Sequence, residues 1–396
     1  MNQDARRPQV CVVIAIALVL AGCGAGGVSG DALELGAESQ ASSSPAGRIL
    51  SAGGFHSLAL RPDGTVWTWG YNATGQLGDG ATSDRARPVS VPLLSGVVML
   101  AGGGAHSLAL RTDGTVWAWG NNEMGQLGDG TFTNRHSPVP VVGLTGVTAV
   151  SAGASHSLAL RSDGTIWAWG ENNVGQLGDG SFVNRATPGP ISGLGGFVEV
   201  SAGGLHSLAR RSNGTVWSWG YNSHGQLGRA TLGSSPIPTE IPNFPGSVLV
   251  FAGYQYSLAR MADGTVRAWG QNSQGQLGLG EAPPTDRHSP TVVPGLNNVV
   301  ALAGGIAHAL VLRSDGSVWA WGWNVWGQLG DGTNVDRLSP VEVVGPSDIV
   351  AVSAGSRHSL AQRAGGTLHS WGRNTEGQLG DGTRLRRFQP VTVLDP

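Results

Sequence analysis

Residues 96–146 read GVVMLAGGGAHSLALRTDGTVWAWGNNEMGQLGDGTFTNRHSPVPVVGLTG, and close variants of this stretch fill most of the chain. Its tetrapeptide Gly-Gln-Leu-Gly recurs every 50 residues, with one step of 52. The seven copies begin at Gly75, Gly125, Gly175, Gly225, Gly275, Gly327 and Gly377. Self-similarity at such a period indicates repeated units that must pack on one another to bury their apolar faces. Residues 48–396 divide into seven such units with no remainder.

Each unit carries four short runs of strand-forming residues. In the quoted unit these runs are 97–101, 106–110, 116–119 and 138–142. Asp-Gly between the second and third runs predicts a two-residue hairpin turn. Seven four-stranded units of about 50 residues are suited to radial closure, so the sequence predicts an all-β, seven-bladed propeller.

The repeated residues resemble one family in particular. The regulator of chromosome condensation repeat has the signature AGxxHSLAL, DGxVWxWG and xNxxGQLG, and the third unit shows its first part at Ala152-Gly153 and 156–160. The second unit departs from it only at Gly102-Gly103, in the Ala-Gly position. The resemblance covers the chain after residue 47 and implies a seven-bladed propeller.

Composition excludes several function classes. Glycine accounts for 65 of 396 residues and charged residues for 13%, against about 25% in an average protein. The 24 basic residues are all arginine and balance 26 acidic residues, for a net charge of −2. Without a basic excess we expect no nucleic-acid partner. Both cysteines, Cys11 and Cys23, lie before the repeats, so thiol chemistry in the propeller is excluded.

The N-terminus predicts export. Residues 1–22 have the polar start, apolar run and small residues of a signal peptide, and the run is too short to span a membrane. Leu20-Ala21-Gly22-Cys23 resembles a bacterial lipoprotein box, which implies that Cys23 carries a lipid anchor. The alternative is an ordinary cleaved signal and a free secreted protein. Residues 23–47 are then a flexible tether to the propeller at 48–396.

Residues present in every unit are expected to hold the fold rather than to perform a reaction. Six units carry a histidine in the His-Ser-Leu run, and Tyr256 takes this position in the fifth. We expect hydrogen-bonded structural histidines, and tryptophans of the Trp-Gly column packed between blades. The Asp-Gly pairs after Gly-Gln-Leu-Gly are interpreted as turns, because a calcium loop needs several oxygen ligands.

The variable positions fall on one side of the predicted disk. Strand direction places the residues just before the histidine and those after Trp-Gly on the same face, which we call the top face. Since the seventh unit neighbours the first, aromatic residues and arginines meet there in one sector. We call the following residues the arginine–aromatic sector: Phe55, Tyr71, Trp323, Trp326, Arg357, Arg373, Arg384, Arg386 and Arg387.

Aromatic residues and arginine dominate binding hot spots. The sequence therefore predicts a monomeric, non-enzymatic binding module without cofactor or metal, displayed at the bacterial cell envelope. Its partner would be a protein or an anionic surface polymer, and solvated arginines beside self-packed tryptophans are the alternative interpretation of the sector. The resemblance also implies an alternative function, nucleotide exchange on a small GTPase.

Overall fold

The computed structural model describes residues 50–282 and 284–395, which form seven four-stranded antiparallel sheets. Each sheet is a blade made of four consecutive strands, and no helix occurs in these residues. The first strands of adjacent blades contact one another, and the turns that follow them line a central channel. The predicted all-β, seven-bladed propeller is confirmed.

The strands have the following bounds. Blade 1 contains β1 (Leu50–Ala52), β2 (His56–Leu60), β3 (Val66–Gly70) and β4 (Arg85–Ser90); blade 2 contains β5 (Val97–Gly102), β6 (His106–Arg111), β7 (Val116–Gly120) and β8 (Arg135–Pro140). Blade 3 contains β9 (Val147–Ala152), β10 (His156–Arg161), β11 (Ile166–Gly170) and β12 (Arg185–Pro190); blade 4 contains β13 (Phe197–Ala202), β14 (His206–Arg211), β15 (Val216–Gly220) and β16 (Ser235–Glu240). Blade 5 contains β17 (Ser247–Ala252), β18 (Tyr256–Met261), β19 (Val266–Gly270) and β20 (Arg287–Val292). Blade 6 contains β21 (Val299–Gly304), β22 (His308–Arg313), β23 (Val318–Gly322) and β24 (Arg337–Glu342); blade 7 contains β25 (Ile349–Ala354), β26 (His358–Arg363), β27 (Leu368–Gly372) and β28 (Arg387–Thr392).

The hairpin between the second and third strands is one residue longer than the sequence predicted. The amide of Arg111 donates to the carbonyl of Thr115, which leaves a three-residue loop. Its last residue, Gly114, has a φ of 74°, the left-handed conformation typical of such loops. The Asp113 carboxylate accepts the Thr115 amide at 3.0 Å and fixes the turn.

The predicted fourth strand, 138–142, was placed too late. In blade 2 the strand is β8, Arg135–Pro140, and Arg135 pairs with Gly120 across a bulge. The outermost strand carries prolines and exposed polar residues, so it lacks the nearly continuous burial that marks the two strands before it. Each of the seven outermost strands contains proline, which leaves the edge unsuited to pairing with another sheet.

The cores lie between blades. One cluster joins Leu108 and Leu127 of blade 2 to Val150 and Trp169 of blade 3, and Trp169 is fully buried. All seven tryptophans of this column are 0% exposed, which confirms the predicted packing role; they are Trp69, Trp119, Trp169, Trp219, Trp269, Trp321 and Trp371.

The ring closes without strand exchange. Trp69 of blade 1 packs with Leu360 and Val393 of blade 7 in the same kind of cluster. The Trp69 indole N–H donates to the carbonyl of Gln378 at 2.9 Å, and the amide of Gly382 donates to the carbonyl of Ala86 at 2.9 Å. The Trp69 bond therefore repeats the one at the other six junctions, and the Gly382 bond repeats one found at five of them.

Candidate protein-binding face

Backbone hydrogen bonds show which loops share a face. The amide of Tyr71, just after β3, donates to the carbonyl of Phe55, just before β2. These two connections therefore lie together on the top face. On the opposite face, which we call the bottom face, the amide of Thr112 donates to the carbonyl of Gly96. The predicted separation of variable loops from Asp-Gly hairpins matches this geometry.

Each top loop reaches over to the next blade. The carbonyl of Gln76 in blade 1 accepts the Ser107 hydroxyl at 2.8 Å and the Trp119 indole N–H at 2.9 Å, both from blade 2. A Cβ on Gly78 would lie 2.8 Å from the Trp119 indole nitrogen, and Gly78 has a φ of 70°. The Gly-Gln-Leu-Gly tetrapeptide is therefore a clasp between blades.

The repeated histidines belong to the same clasp. His56 Nε2 lies 2.9 Å from the Ser107 hydroxyl, and that hydroxyl donates its only proton to Gln76. The histidine must therefore be the donor to serine. Burial lowers the pKa of His56 from its usual 6.5 to about 3, so the ring is neutral at neutral pH. This confirms the prediction of structural, hydrogen-bonded histidines.

Aspartates of the Asp-Gly pairs hold the top loop. In blade 1 the Asp79 carboxylate accepts hydrogen bonds from the Asn72 amide group, the Ala81 backbone and the Arg85 guanidinium. Burial opposes ionisation, but these bonds and the charge of Arg85 hold the pKa of the Asp79 carboxyl below its usual value. We call this set of contacts the aspartate clamp. It presents the variable residues on a frame that is nearly the same in most blades.

Five members of the predicted sector form one alternating stack. The guanidinium carbon of Arg357 lies 5.1 Å from the centre of the Trp323 ring and 6.0 Å from that of Trp326. The guanidinium carbon of Arg373 lies 5.1 Å from Trp326 and 4.7 Å from Phe55. The stack runs from blade 6 over blade 7 to blade 1. We call it the cation–aromatic ladder.

The two arginines of the ladder differ in their polar partners. Arg373 donates to the Thr375 hydroxyl at 2.7 Å and pairs with the Glu376 carboxylate at 2.5 Å. Arg357 forms no ion pair with any described residue, and its Nε is buried without a hydrogen-bond partner. Burial and the nearby charge of Arg373 lower the pKa of Arg357, which Glu376 partly opposes.

The other predicted sector residues have separate positions. Arg384 lies 3.4 Å from Asp84 across the blade 7–blade 1 junction, and Arg386 lies 5.0 Å from the ring of Phe388. Arg387 pairs with Asp381 as the arginine of the aspartate clamp in blade 7. Tyr71 is half-buried and is joined to Phe55 through the backbone.

Sequence reasoning missed an apolar group on the neighbouring top loops. Phe132 of blade 2 is 56% exposed, Phe182 and Val183 of blade 3 are 52% and 70% exposed, and Leu232 of blade 4 is 52% exposed. All four lie at the tip of the loop that follows the Asp-Gly position. Comparing this loop position between units would have revealed them, since blade 1 has Thr82 there.

Several predictions lie outside the described residues. These are the signal peptide at 1–22, the lipid anchor at Cys23 and the tether at 23–47, all of which stay predictions. Within the described part of the chain, no helix has the length and apolar character needed to cross a bilayer.

Known families and structures match most of the chain. The RCC1-like domain matches residues 194–395, and the regulator of chromosome condensation (RCC1) repeat matches 63–110, 113–160 and 163–210. The chain is similar to human WBSCR16, with 26% identity, a TM-score of 0.75, and coverage of 84% of this chain and 94% of that one.

Two yeast structures show the same fold at lower identity. Prp20p from Saccharomyces cerevisiae has 23% identity and a TM-score of 0.76 over 85% of this chain and 87% of that one. Yeast RCC1 (Prp20) bound to Kap60 has 21% identity and a TM-score of 0.77 over 96% and 91%. The chain belongs to the regulator of chromosome condensation (RCC1) repeat family.

Proposed function

We propose that this chain is a non-enzymatic binding module of the bacterial cell envelope that recognises a protein through the arginine–aromatic sector of its top face. The observation that carries the proposal is the cation–aromatic ladder, in which Arg357 lacks an anionic partner among the described residues. Arginine and aromatic side chains held in this way are the residue types that dominate binding energy at protein interfaces.

The repeated frame supports a binding role over a catalytic one. The six repeated histidines are buried and neutral, and their Nε2 atoms are engaged with serine on the next blade. The carboxylates of the aspartate clamps accept hydrogen bonds from residues of their own loops. The residues that differ between blades are the top-face side chains, so differences in ligand are expected to depend on them.

The strand order supports display away from an anchor. β1 begins at Leu50, on the side of the bottom face, and leads into the top-face turn before Phe55. A tether at residues 23–47 with a lipid on Cys23 would leave the top face directed away from the membrane. The predicted anchor and the proposed binding face are then compatible.

Relatives offer a precedent for protein partners. The yeast Prp20p structure is described with its binding to Gsp1p and histones, and yeast RCC1 (Prp20) is bound to Kap60. The alternative function, nucleotide exchange on a small GTPase, resembles insertion of a wedge from one blade. In sequence the seven units differ in length only by two extra residues in blade 5, so no unit carries a long insertion that could serve as such a wedge. This favours the binding module.

The test is affinity capture from an envelope extract of the parent organism with the whole chain. The Trp323→Ala/Arg373→Ala/Arg386→Ala variant is compared with an Arg111→Ala/Arg161→Ala control, which removes two charges from the bottom face. A protein retained by the wild type and the control, but lost by the triple variant, supports the proposal. Equal recovery by all three chains places binding elsewhere and contradicts it.

A further inference from the structure

The cation–aromatic ladder holds two guanidinium groups against aromatic rings. A guanidinium is planar, and its N–H donors lie in that plane. The guanidinium carbon of Arg357 lies over the Trp323 and Trp326 rings, 5.1 and 6.0 Å from their centres. Stacking restricts the side chain, so less conformational entropy is lost when its donors bind an acceptor.

Arg373 already shows how an arginine of this ladder binds an anion. It stacks on Trp326 and Phe55 while its Nη2 donates to the Glu376 carboxylate. Glu376 is half-buried, and although burial opposes ionisation, bonds from Thr375 and Gln378 and the charge of Arg373 keep the pKa of its carboxyl below the usual value. The result is a stacked arginine with a carboxylate at its edge.

Arg357 has the same stacking and no such carboxylate. Its Nε is buried without a partner, and it has no ion pair with a described residue. A cation that the ladder holds in place without an ion-pair partner favours an anionic group on the ligand. Arg386 of the same blade, stacked on Phe388, also lacks an ion pair within the described chain.

We infer that the Arg357 guanidinium donates hydrogen bonds to a carboxylate of the partner, and that the partner presents an acidic protein segment to the ladder. This inference rests on the proposed function and names the chemistry of its ligand. A carboxylate fits because its two oxygens match the fork of a guanidinium edge, and in the same ladder the Nη2 of Arg373 already donates to one oxygen of the Glu376 carboxylate. An acidic segment can place further carboxylates near Arg386.

The ladder favours an acidic protein over an anionic polysaccharide. Sugar rings are recognised by stacking on bare aromatic faces, whereas Trp326 lies within 6.0 Å of two guanidinium carbons and Trp323 within 5.1 Å of one. The aromatic rings therefore position arginines. The donors that remain for a ligand are guanidinium edges.

The inference is tested by fluorescence anisotropy with a labelled octaglutamate peptide and the whole chain. Arg357→Gln is expected to weaken binding about tenfold, and Arg357→Lys to weaken it nearly as much because the fork is lost. Glu376→Gln frees Arg373 and is expected to strengthen binding. Arg111→Gln on the bottom face is the control of equal charge, and equal urea midpoints establish that the variants are folded.

Three outcomes would overturn the inference. The first is octaglutamate binding that Arg357→Gln leaves unchanged. The second is full retention by Arg357→Lys, which would indicate long-range charge alone. The third is competition by polygalacturonate at lower carboxylate concentration than octaglutamate, which would indicate a polymer ligand.

Failure of the Arg357 inference can be distinguished from failure of the proposed function by comparing protein capture with the two variants. Loss of a captured protein by the triple variant, with retention by Arg357→Gln, leaves the binding face intact and removes the role of Arg357. Retention of that protein by both variants removes both proposals.

Discussion

Tyr256 and Ala309 together replace the histidine and the serine that are hydrogen-bonded across each of the other six blade junctions. The Tyr256 hydroxyl reaches past the position of the missing serine and donates to the backbone carbonyl of His308. Both changes occur at the same junction, between blades 5 and 6. The two replacements therefore depend on each other, since the Tyr256 hydroxyl bonds to the backbone where no serine hydroxyl is present.

The coupling predicts a non-additive stability change at this junction. Tyr256→His alone places an imidazole N–H opposite Ala309, without an acceptor, and should cost about 1–3 kcal/mol. Adding Ala309→Ser should recover most of that loss, because it recreates the contact between His206 and Ser257. Urea unfolding of the wild type, both single variants and the double variant measures the coupling. Additive effects would contradict it.

The fold could be predicted from the sequence because the same strand and turn residues recur in all seven units. The tryptophan and Gly-Gln-Leu-Gly columns meet in a contact that recurs at all seven junctions, and the histidine column forms one at six of them. The bounds of the fourth strand could not be predicted as well. That strand is held by the Arg135–Asp129 pair and a bulge rather than by an alternating apolar pattern.

The candidate site could be predicted in composition but not in arrangement. Circular closure brings Phe55 next to Arg373, more than 300 residues later, and this neighbourhood follows from the repeat alone. The order of the ladder does not, because it depends on side-chain directions in loops from three blades. The role of Arg387 in an aspartate clamp depends likewise on its spacing from Asp381.

A buried ion pair in blade 4 predicts an unusual response to substitution. Glu199 and Arg210 are 1% and 7% exposed and lie 2.7 Å apart, where blade 2 has Met99 and Leu110. Above pH 7, where Glu199 is ionised, Glu199→Ala should cost about 3–5 kcal/mol, since it leaves Arg210 buried and unpaired. Glu199→Met/Arg210→Leu should be neutral or stabilising, as judged by thermal unfolding.

The same pair predicts a pH dependence with a definite sign. Burial raises the pKa of Glu199 from its usual 4.5 to about 7, against the opposing effect of Arg210. Between these values the folded chain holds a proton that the unfolded chain has released. The contribution of Glu199 to the free energy of unfolding is complete below pH 4.5 and is lost as the pH rises through 7. The stability advantage of the Met/Leu variant should therefore grow from pH 5 to 8, and a constant difference would contradict this.

Blade 4 lacks the aspartate clamp, which predicts locally faster hydrogen exchange. Arg229 and Ser235 stand where blade 2 has Asp129 and Arg135. The Thr131 amide donates to Asp129, whereas the Thr231 amide has no acceptor among the described residues. We expect the Thr231 amide to exchange at least about tenfold faster than that of Thr131.

A designed clamp provides the matched control. Arg229→Asp/Ser235→Arg should slow exchange at Thr231 toward the rate at Thr131, as measured by mass spectrometry of the loop peptides. If the two loops exchange equally in the wild type, the clamp does not hold the loop.

The six repeated histidines predict that the propeller loses stability in mild acid. Burial lowers the pKa of each from 6.5 to about 3, so below pH 6.5 the unfolded chain binds protons that the folded chain excludes. The stability is full above pH 6.5 and falls toward pH 3, by up to about 1.4 kcal/mol per pH unit for each histidine. Glu199 acts in the opposite sense between pH 4.5 and 7, but one group cannot offset six. Urea midpoints should therefore fall from pH 6.5 to 4.5.

The chain supplies its own control for this acid response. His156→Tyr/Ser207→Ala copies the Tyr256 and Ala309 junction and removes one buried histidine with its serine. Because the tyrosine hydroxyl stays neutral throughout this range and Glu199 already cancels one of the six histidines, the slope of stability against pH should fall by about one fifth. An unchanged slope would mean that His156 is protonated in the folded propeller. That result would require its Nδ1, which has no partner among the described residues, to gain an acceptor in acid.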